Sequence, residues 1–338
     1  MDPRTINCLL LRHPDNNNMR ADAQAQPNIA LIKYWGKRDI EQNLPAVSSL
    51  SITLDSLWTR MSVEFSDALS QDKLSVNEAK DEKMLPRISA CLDLVAGTDR
   101  SRASVSSEGN FPIAAGLASS ASAFAALVVA AAEAAGKNSD TLSLARIAGA
   151  ASGSAARSLF GGFAELQAGD TNIDVKTIAE ADEWPLTVVI AITEEGEKPV
   201  SSGDAMIRSA ESSPFYSSWL EQQPADLETA RDAVLQRNFE QLAAVSEHNC
   251  LKMHSVMWGS RPPVVYWNSA TLSCMEAIRH LQADGRAVFF TIDAGPQVKA
   301  VCLPEEAEVV RSALDECAGV VRTLVSGLGA GAHLLDRK

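Results

Sequence analysis

Alternating hydrophobic and polar positions near the start of the chain predict β-strands. NIALIKYW, at residues 28–35, opens with an apolar run typical of a buried strand, and SSLSITLDSLWTRMSVEF predicts two strands around a turn near Asp55. Residues 84–97 carry apolar positions at helical spacing up to Gly97, and SRASVSSEG then returns to alternation. The first third of the chain is therefore predicted to be mainly β, with one helix.

The middle of the chain predicts helices separated by glycine-containing breaks. The Ala-rich segment at residues 120–136 is weakly hydrophobic and contains Glu133, which indicates a buried helix rather than a membrane span. Residues 139–151 start with a Ser-Asp N-cap and predict another helix, which breaks at SGS before a strand in GGFAELQ. WPLTVVIAITEE is an uninterrupted β-branched run, typical of a buried strand.

The polar segment EGEKPVSSGDAM indicates a domain boundary. We expect a loosely ordered extension at residues 1–20, an N-terminal domain at 21–195 and a C-terminal domain at 196–338. In the last of these, residues 225–258 predict helix and RAVFFTIDAGPQVKAVCLP predicts two strands joined through Asp-Ala-Gly-Pro. The pattern as a whole predicts an α+β protein.

Composition narrows the classes of function. The chain of 338 residues has a formal net charge of -13, which argues against binding to a nucleic-acid backbone. No uncharged apolar run reaches the roughly 18 residues of a membrane span. The six cysteines lie far apart without CxxC pairs, so neither zinc nor a disulfide framework is indicated. The first twenty residues contain no signal-peptide core, and we expect a cytoplasmic protein.

Positive charge is nevertheless concentrated in KYWGKRD, at residues 33–39, where three cations and two aromatic residues follow the predicted strand. A cation about 4 Å from an anion contributes roughly 4 kcal/mol at an effective dielectric of 20, whereas distant surface charges are screened. The segment therefore predicts a site for a small anionic ligand. A solvated cluster of charges is the alternative.

A second candidate is FPIAAGLASSASA. Gly116 permits close approach of the backbone, and Ser119 and Ser120 stand at the first turn of the predicted helix, where unpaired N–H groups favour an anion. The segment matches neither the P-loop nor the GxGxxG pattern. A serine-capped helix without a ligand is the alternative.

Two further groups could carry chemistry. In SGSAARS, Ser152 and Ser154 precede Arg157, whose guanidinium suits a carboxylate or phosphate; pairing with a surface carboxylate is the alternative. Asp293 follows the apolar strand VFFTI and precedes Ala-Gly-Pro. It either closes a turn or is a functional carboxylate at the end of a buried strand.

Five segments in this order, NIALIKYWGKRD, NLPAVSSLSITLD, FPIAAGLASSASAFAAL, SGSAARSLFGGF and TIDAGP, closely resemble the mevalonate diphosphate decarboxylase family of the GHMP kinase superfamily. The similarity runs from about Ala25 to Leu335. It implies a two-lobed α+β GHMP kinase fold with the active site in a cleft between the lobes, commonly in a homodimer. It also implies an ATP- and Mg²⁺-dependent conversion of mevalonate 5-diphosphate to isopentenyl diphosphate, phosphate, ADP and CO₂, in the mevalonate route to isoprenoids.

The resemblance implies roles for residues on the substrate side. Lys33 would lie near the transferring phosphoryl group, Tyr34 and Lys37 would hold the substrate diphosphate, and Trp35 would wall the pocket. Arg157 would grip the substrate carboxylate. Asp293 would orient or deprotonate the C3 hydroxyl, which is phosphorylated before it leaves as phosphate.

The resemblance also implies contacts for the serines. Ser119 and Ser120 would contact ATP phosphates, with Ser120 near Mg²⁺ and Gly116 letting the backbone close in. Ser152 and Ser154 would position the substrate. Ser202 and Met206 match a substrate-binding SxxGM segment of the family, although Ala205 stands where that segment has glycine.

Three alternatives stay open at this point. A GHMP kinase could stop after phosphorylation, or a decarboxylase could act on the monophosphate, although KYWGK together with SGSAAR favours the diphosphate decarboxylase. The same fold could also serve as a sensor that binds the ligand without turnover. The presence of Lys33, Arg157 and Asp293 argues against this last alternative.

Overall fold

A computed structural model describes residues 19–111, 119–196 and 198–336. Within these ranges the chain forms sixteen β-strands and eight α-helices, so the predicted α+β class is confirmed. Residues 1–18 of the predicted extension lie outside the described residues. In the part of the chain that is described, no helix combines the length and the apolar content needed to cross a membrane.

A six-stranded sheet supports the N-terminal half. In sheet order its strands are β16 (His333–Leu334), β1 (Arg20–Ala25), β6 (Thr59–Ser66), β9 (Arg102–Gly109), β7 (Lys73–Val76) and β8 (Ala79–Lys80). The helices α1 (Leu85–Ala96) and α2 (Ser119–Ala134) share one apolar core with this sheet. Because the alanines of β1 and α2 are small, the helix lies close against the strand. The predicted helix at 84–97 is confirmed, and Gly97 caps it with a φ of 98°.

A second, antiparallel sheet carries the predicted cation cluster. Its strands, in order, are β11 (Ile173–Ala179), β10 (Phe163–Ala168), β5 (Ser49–Thr53) and β2 (Asn28–Ile32). All five residues of β2 are buried, which explains its continuous apolar sequence and confirms the predicted buried strand. The helix α3 (Thr141–Ala151), capped by Asp140 as the sequence predicts, leads into a 3-10 helix at Ala155–Leu159. A small hairpin pairs β3 (Lys37–Asp39) with β4 (Leu44–Pro45).

The third sheet belongs to the C-terminal half. Its antiparallel strands, in order, are β13 (Val288–Ile292), β14 (Val298–Cys302), β12 (Thr187–Ile192) and β15 (Arg322–Ser326). The helices of this half are α4 (Ser202–Ser212), α5 (Tyr216–Leu235), α6 (Phe239–Trp258), α7 (Ser269–Ala283) and α8 (Ala307–Asp315). Helix α6 packs against both β13 and β2, so it joins the third sheet to the second. Strand β12 pairs with C-terminal strands, and the division after residue 195 stays a prediction.

Candidate active site

One cavity of about 750 Å³ opens between the N-terminal and C-terminal elements. Every predicted site residue that the structure describes lines it. These residues are Lys33, Tyr34, Trp35, Lys37, Ser119, Ser120, Ser152, Ser154, Arg157, Ser202, Met206 and Asp293. Gly116, the remaining predicted residue, lies outside the described residues. Positions 260 residues apart in the sequence thus face one space.

Asp293 is one of the carboxylates that line this cavity. It follows β13 directly, and Lys33 follows β2, so the ends of two buried strands bring them together. Lys33 Nζ donates to Asp293 Oδ1 at 2.7 Å, and Lys299 Nζ lies 3.2 Å from Oδ2. Burial opposes ionisation, but the charges of the two lysines outweigh it and hold the pKa of Asp293 well below its usual range. Asp293 is therefore ionised at neutral pH.

The backbone of Lys33 is held by two helices of the C-terminal half. The amide N–H of Lys33 donates to Asn249 Oδ1 at 2.8 Å, and its carbonyl accepts from Gln223 Nε2 at 2.9 Å. Its ammonium group also donates to the carbonyl of Ala30 at 2.8 Å. Lys33 is 1% exposed, so the solvated-cluster alternative does not describe it.

Arg157 is a buried arginine in the 3-10 helix. Its guanidinium donates to Ser49 Oγ at 2.6 Å, Ser51 Oγ at 3.0 Å and Asn28 Oδ1 at 3.1 Å, all neutral acceptors. Burial lowers the pKa of Arg157 to about 10, while Tyr34 and Asp293 oppose the shift. The alternative of a surface ion pair is wrong, because Arg157 is only 2% exposed. A buried cation with neutral partners favours an anionic ligand.

Tyr34 presents a polar group to the same space. Its buried hydroxyl has no hydrogen-bond partner among the described residues. The ring lies 5.9 Å from the guanidinium carbon of Arg157, and the hydroxyl packs so close to Gly153 that a Cβ there would overlap it. Burial raises the pKa of Tyr34 to about 12, against the lowering effect of Arg157. The hydroxyl therefore keeps its proton and can donate it to a bound acceptor.

One of the predicted nucleotide serines lies next to one of the predicted substrate serines. Ser119 and Ser120 are the first residues of α2, and Ser152 is the C-cap of α3. Ser152 Oγ lies 3.3 Å from Ser120 Oγ. Ser154 follows two residues later, and its carbonyl accepts from Asn28 Nδ2 at 2.9 Å. The described start of α2 thus lines the cavity next to the end of α3.

Three cations of the site were not found from the sequence. Lys198 Nζ donates to Ser202 Oγ at 2.7 Å and to the carbonyl of Ala294 at 3.0 Å. Burial, and then repulsion from Lys299, lower the pKa of Lys198 to about 8. The signal was weak, because Lys198 lies in the polar segment that we interpreted only as a boundary. Lys299 was also missed, because it lies within the predicted strand β14 and nothing in that strand marks it as part of a site.

Arg87 of α1 is the third. Its Nη2 donates to the carbonyl of Ala151 at 2.9 Å, and its guanidinium carbon lies 4.9 Å from the ring centroid of Phe124. Burial, followed by repulsion from Arg87, lowers the pKa of Lys37, so the two cations face the same region. The described lining residues include five cations, namely Lys33, Lys37, Arg87, Arg157 and Lys198, and three acids, Glu41, Asp81 and Asp293. The cavity is positive within an acidic chain.

Trp35 and Met206 form the apolar wall. Both belong to a buried cluster with Ala205 and Trp219, and Trp219 Nε1 donates to the carbonyl of Trp35 at 3.0 Å. Ala205 is fully buried within α4, which Ser201 caps through the amide of Asp204. The alanine that replaces the expected glycine therefore leaves the helix regular, with Ser202 at its first turn.

Comparisons with known proteins place most of the chain in one family. Residues 25–179 match the diphosphomevalonate decarboxylase-like N-terminal domain, and residues 188–325 match the mevalonate 5-diphosphate decarboxylase C-terminal domain. The diphosphomevalonate decarboxylase of Candida albicans is 35% identical over 297 residues, which is 82% of each chain.

Solved structures show the same similarity. Mevalonate diphosphate decarboxylase of Staphylococcus aureus superimposes with a TM-score of 0.89 at 33% identity, over 94% of this chain and 98% of that one. The enzyme of Enterococcus faecalis gives 0.86 at 35% identity, over 94% and 99%. A protein designated MDDEF, solved in complex with MVAPP, AMPPCP and magnesium, gives 0.87 at 36% identity, also over 94% and 99%. The predicted GHMP kinase-like fold is confirmed, and the chain belongs to the diphosphomevalonate decarboxylase family.

Proposed function

We propose that the chain phosphorylates the C3 hydroxyl of mevalonate 5-diphosphate with ATP and then decarboxylates it to isopentenyl diphosphate, releasing phosphate, ADP and CO₂. One observation supports this proposal above the others. A single positive cavity holds an ionised Asp293, a buried Arg157 with neutral partners and the first turn of α2. Asp293 can orient an alcohol, the guanidinium of Arg157 can bind a carboxylate, and the first turn of α2 can bind phosphate.

Asp293 acts on the alcohol. Its carboxylate accepts the hydrogen bond of the C3 hydroxyl and aims the oxygen at the γ-phosphoryl group, with Lys33 beside it at 2.7 Å. Phosphoryl transfer through a loose transition state depends mainly on alignment and electrostatics. A low pKa makes Asp293 a weak base, so orientation is its larger contribution. The hydroxyl proton then passes to an oxygen of the transferred phosphate as the bond to ADP breaks.

Arg157 acts on the carboxylate. Once C3 carries phosphate, the C3–O bond breaks, and the electrons of the C1–C2 bond form the new double bond as CO₂ departs. The planar guanidinium holds the carboxylate in line with the breaking bond. Because Ser49, Ser51 and Asn28 fix the guanidinium from behind, it needs little rearrangement when the substrate arrives.

The diphosphate lies against the remaining cations on the substrate side. Lys37, Arg87 and the hydroxyl of Tyr34 can donate to its oxygens. Tyr34 then gains the partner that its buried hydroxyl lacks among the described residues. Ser152 and Ser154 fix the middle of the substrate, next to Ser120.

The nucleotide side suits ATP with magnesium. Ser119 and Ser120 at the start of α2 offer hydroxyls and helix N–H groups to phosphate oxygens. Lys198, which donates a hydrogen bond to Ser202, adds a positive charge nearby. Within the described residues, no group of three or more His, Cys, Asp or Glu could hold a metal ion. This fits Mg²⁺, which proteins often bind through substrate phosphates and few side chains, here with Ser120. When bound, Mg²⁺ neutralises phosphate charge.

The deciding assay supplies mevalonate 5-diphosphate and ATP and measures ADP and CO₂ in parallel. Equal release of both supports the proposal. ADP and a phosphorylated product without CO₂ would make the protein a kinase. Ligand binding without either product would make it a sensor, and turnover of the monophosphate alone would reassign the substrate.

The assembly and the compartment belong to the same proposal. We expect a cytoplasmic homodimer with a domain division after residue 195, on the family resemblance and the composition. Sedimentation velocity would measure the oligomeric state, and a monomer at micromolar concentration would contradict it.

A further inference from the structure

Lys299 contacts Asp293 without being one of the described residues that line the cavity. Its Nζ lies 3.2 Å from Asp293 Oδ2, and its side chain is 1% exposed. Burying an ammonium group is unfavourable unless it is paired with an anion. The ion pair with Asp293, rather than apolar packing, therefore accounts for a lysine at this position. Since Lys299 is not among the described lining residues, it acts on the site through its neighbours, by direct contact with Asp293 and by repulsion of Lys198.

The strand pairing fixes where Lys299 stands. In the hairpin of β13 and β14, Lys299 lies opposite Thr291, two residues before Asp293. Within the turn between the strands, the N–H of Gly295 donates to the carbonyl of Asp293 at 2.7 Å. Lys33 reaches Asp293 from the end of β2, in a different sheet. The two carboxylate oxygens are thus held by cations from two sheets, which blocks rotation of the carboxyl group.

We propose that Lys299 is a positioning residue of the decarboxylation proposed above: it fixes the second oxygen of Asp293, so that the carboxylate meets the substrate alcohol in one orientation. This inference rests on the proposed function for its effect on turnover. Its effect on the carboxylate itself can be measured without any substrate.

Several charged or titratable groups surround Asp293 from every neighbouring element. They are Lys33, Lys299, Lys198, Arg157, Cys250 and His254. Burial raises the pKa of Cys250 and lowers the pKa of His254 to about 3, so both are neutral near pH 7. Lys299 lowers the pKa of Asp293 by attraction and the pKa of Lys198 by repulsion. Removing Lys299 should therefore raise both pKa values.

The first test compares wild-type enzyme with Lys299→Met over a range of pH. In Lys299→Met we expect kcat near neutral pH to fall about tenfold to 10²-fold, the cost of a misplaced reacting group, with KM for both substrates within about threefold. The acidic and the basic limbs of the kcat/KM profile should both move up by about one pH unit. The matched control is Lys176→Met on β11, which removes an exposed lysine and should keep the wild-type profile.

Lys299→Gln separates orientation from charge. Glutamine can still donate to Oδ2, so its kcat should exceed that of Lys299→Met while both limbs still move. It also provides a second variant if methionine at this position prevents folding. A folded variant with unmoved limbs, or a raised KM with unchanged kcat, would reject the positioning role.

The second test uses no turnover. Infrared difference spectra across pH give the protonation midpoint of Asp293, assigned by the band that is lost in Asp293→Asn. We expect a higher midpoint in Lys299→Met than in wild-type protein, and equal midpoints would overturn the inference. If the wild-type enzyme releases no CO₂ from mevalonate 5-diphosphate, the proposed function fails, while this titration still decides the effect of Lys299 on Asp293.

Discussion

Asp293 and Asp72 are two aspartates with depressed pKa values, yet their surroundings differ. Arg100 holds Asp72 with two parallel hydrogen bonds, Nη1 to Oδ1 at 2.8 Å and Nη2 to Oδ2 at 2.7 Å, and both side chains are less than 5% exposed. The amide of Ala103 adds a third hydrogen bond at 2.8 Å. Burial opposes ionisation of Asp72, but these donors outweigh it and keep its pKa below the usual range.

Asp293 is left more open. Its side chain is 25% exposed, it faces the cavity, and the cations around it exceed the carboxylates. A closed network in which one arginine holds two carboxylates, here Arg100 with Asp72 and with Asp93 through Nε at 2.9 Å, is typical of a structural interaction. An accessible carboxylate among surplus cations is instead typical of a site that awaits an anion and an alcohol. A depressed pKa alone does not distinguish a structural carboxylate from one in a site. The exposure of the side chain and the balance of nearby charges do distinguish them.

The largest expected effect is on turnover by Asp293→Asn. Asparagine keeps the size of the side chain but removes the charge that aims the alcohol, so kcat should fall by about 10²-fold or more. Steady-state release of ADP and CO₂ measures this, with circular dichroism to confirm the fold. Turnover close to wild type would remove Asp293 from the mechanism and erase its contrast with Asp72.

Asp72→Asn should have the opposite signature. The change leaves Arg100 buried without its main partner, which should lower the free energy of unfolding by about 3 kcal/mol, while kcat stays within about twofold. Urea unfolding at pH 7 measures the loss. A variant as stable as wild type, or one with impaired turnover, would show that Asp72 is not simply structural.

The interaction of Asp72 with Arg100 also makes the stability of the protein depend on pH. The pKa of Asp72 is lowered in the folded state, so its stabilisation is present above about pH 4 and is lost as the pH falls further. The stability difference between wild type and Asp72→Asn should therefore shrink below about pH 4. A difference that stays constant there would contradict the depressed pKa.

The comparison between a group in the cavity and a structural group also applies to two arginines, Arg157 and Arg231. A point charge cannot hold a planar carboxylate at two places, so kcat of Arg157→Lys should fall by about tenfold to 10²-fold. The matched control is Arg231→Lys, where the arginine pairs with Glu165 through Nε at 2.6 Å and Nη2 at 2.9 Å, outside the described lining of the cavity. We expect normal turnover in the control. An active Arg157→Lys enzyme would mean that another group holds the carboxylate.

The smallest effect concerns Lys198. Its pKa is lowered to about 8, so the ammonium group is present below that pH and is lost above it. The kcat/KM for ATP should decline as the pH rises through about 8, because the free enzyme then lacks this charge. In Lys198→Arg the decline should move to higher pH. An identical profile in both proteins would assign the limb to another group.

The sequence predicted the strands and helices whose patterns are strong, and it failed where packing decides. β1, with the sequence RADAQA, has too little hydrophobicity to predict a buried strand, and its alanines are buried only because α2 covers them. β11 alternates only weakly over seven residues, and it was not predicted either. Neither strand carries a local signal that outweighs its polar composition.

The site shows the same limit. Lys33, Arg157 and Asp293 lie in motifs specific enough to predict, and the structure places them around one cavity. Their individual roles stay predictions. Arg87, Lys198 and Lys299 are single cations in unremarkable segments, and only the fold gives them neighbours. No spacing rule relates a lysine on β14 to a carboxylate across a hairpin turn and a second lysine in another sheet.

The bond between Lys33 and Asp293 spans 260 positions along the chain. During synthesis, Lys33 leaves the ribosome long before its partner exists, and the residues that hold its backbone, Gln223 and Asn249, also come late. A nascent chain therefore has no competent centre until the strand that leads into Asp293 has emerged. Fragments cut between the two strands should be inert until they reassemble.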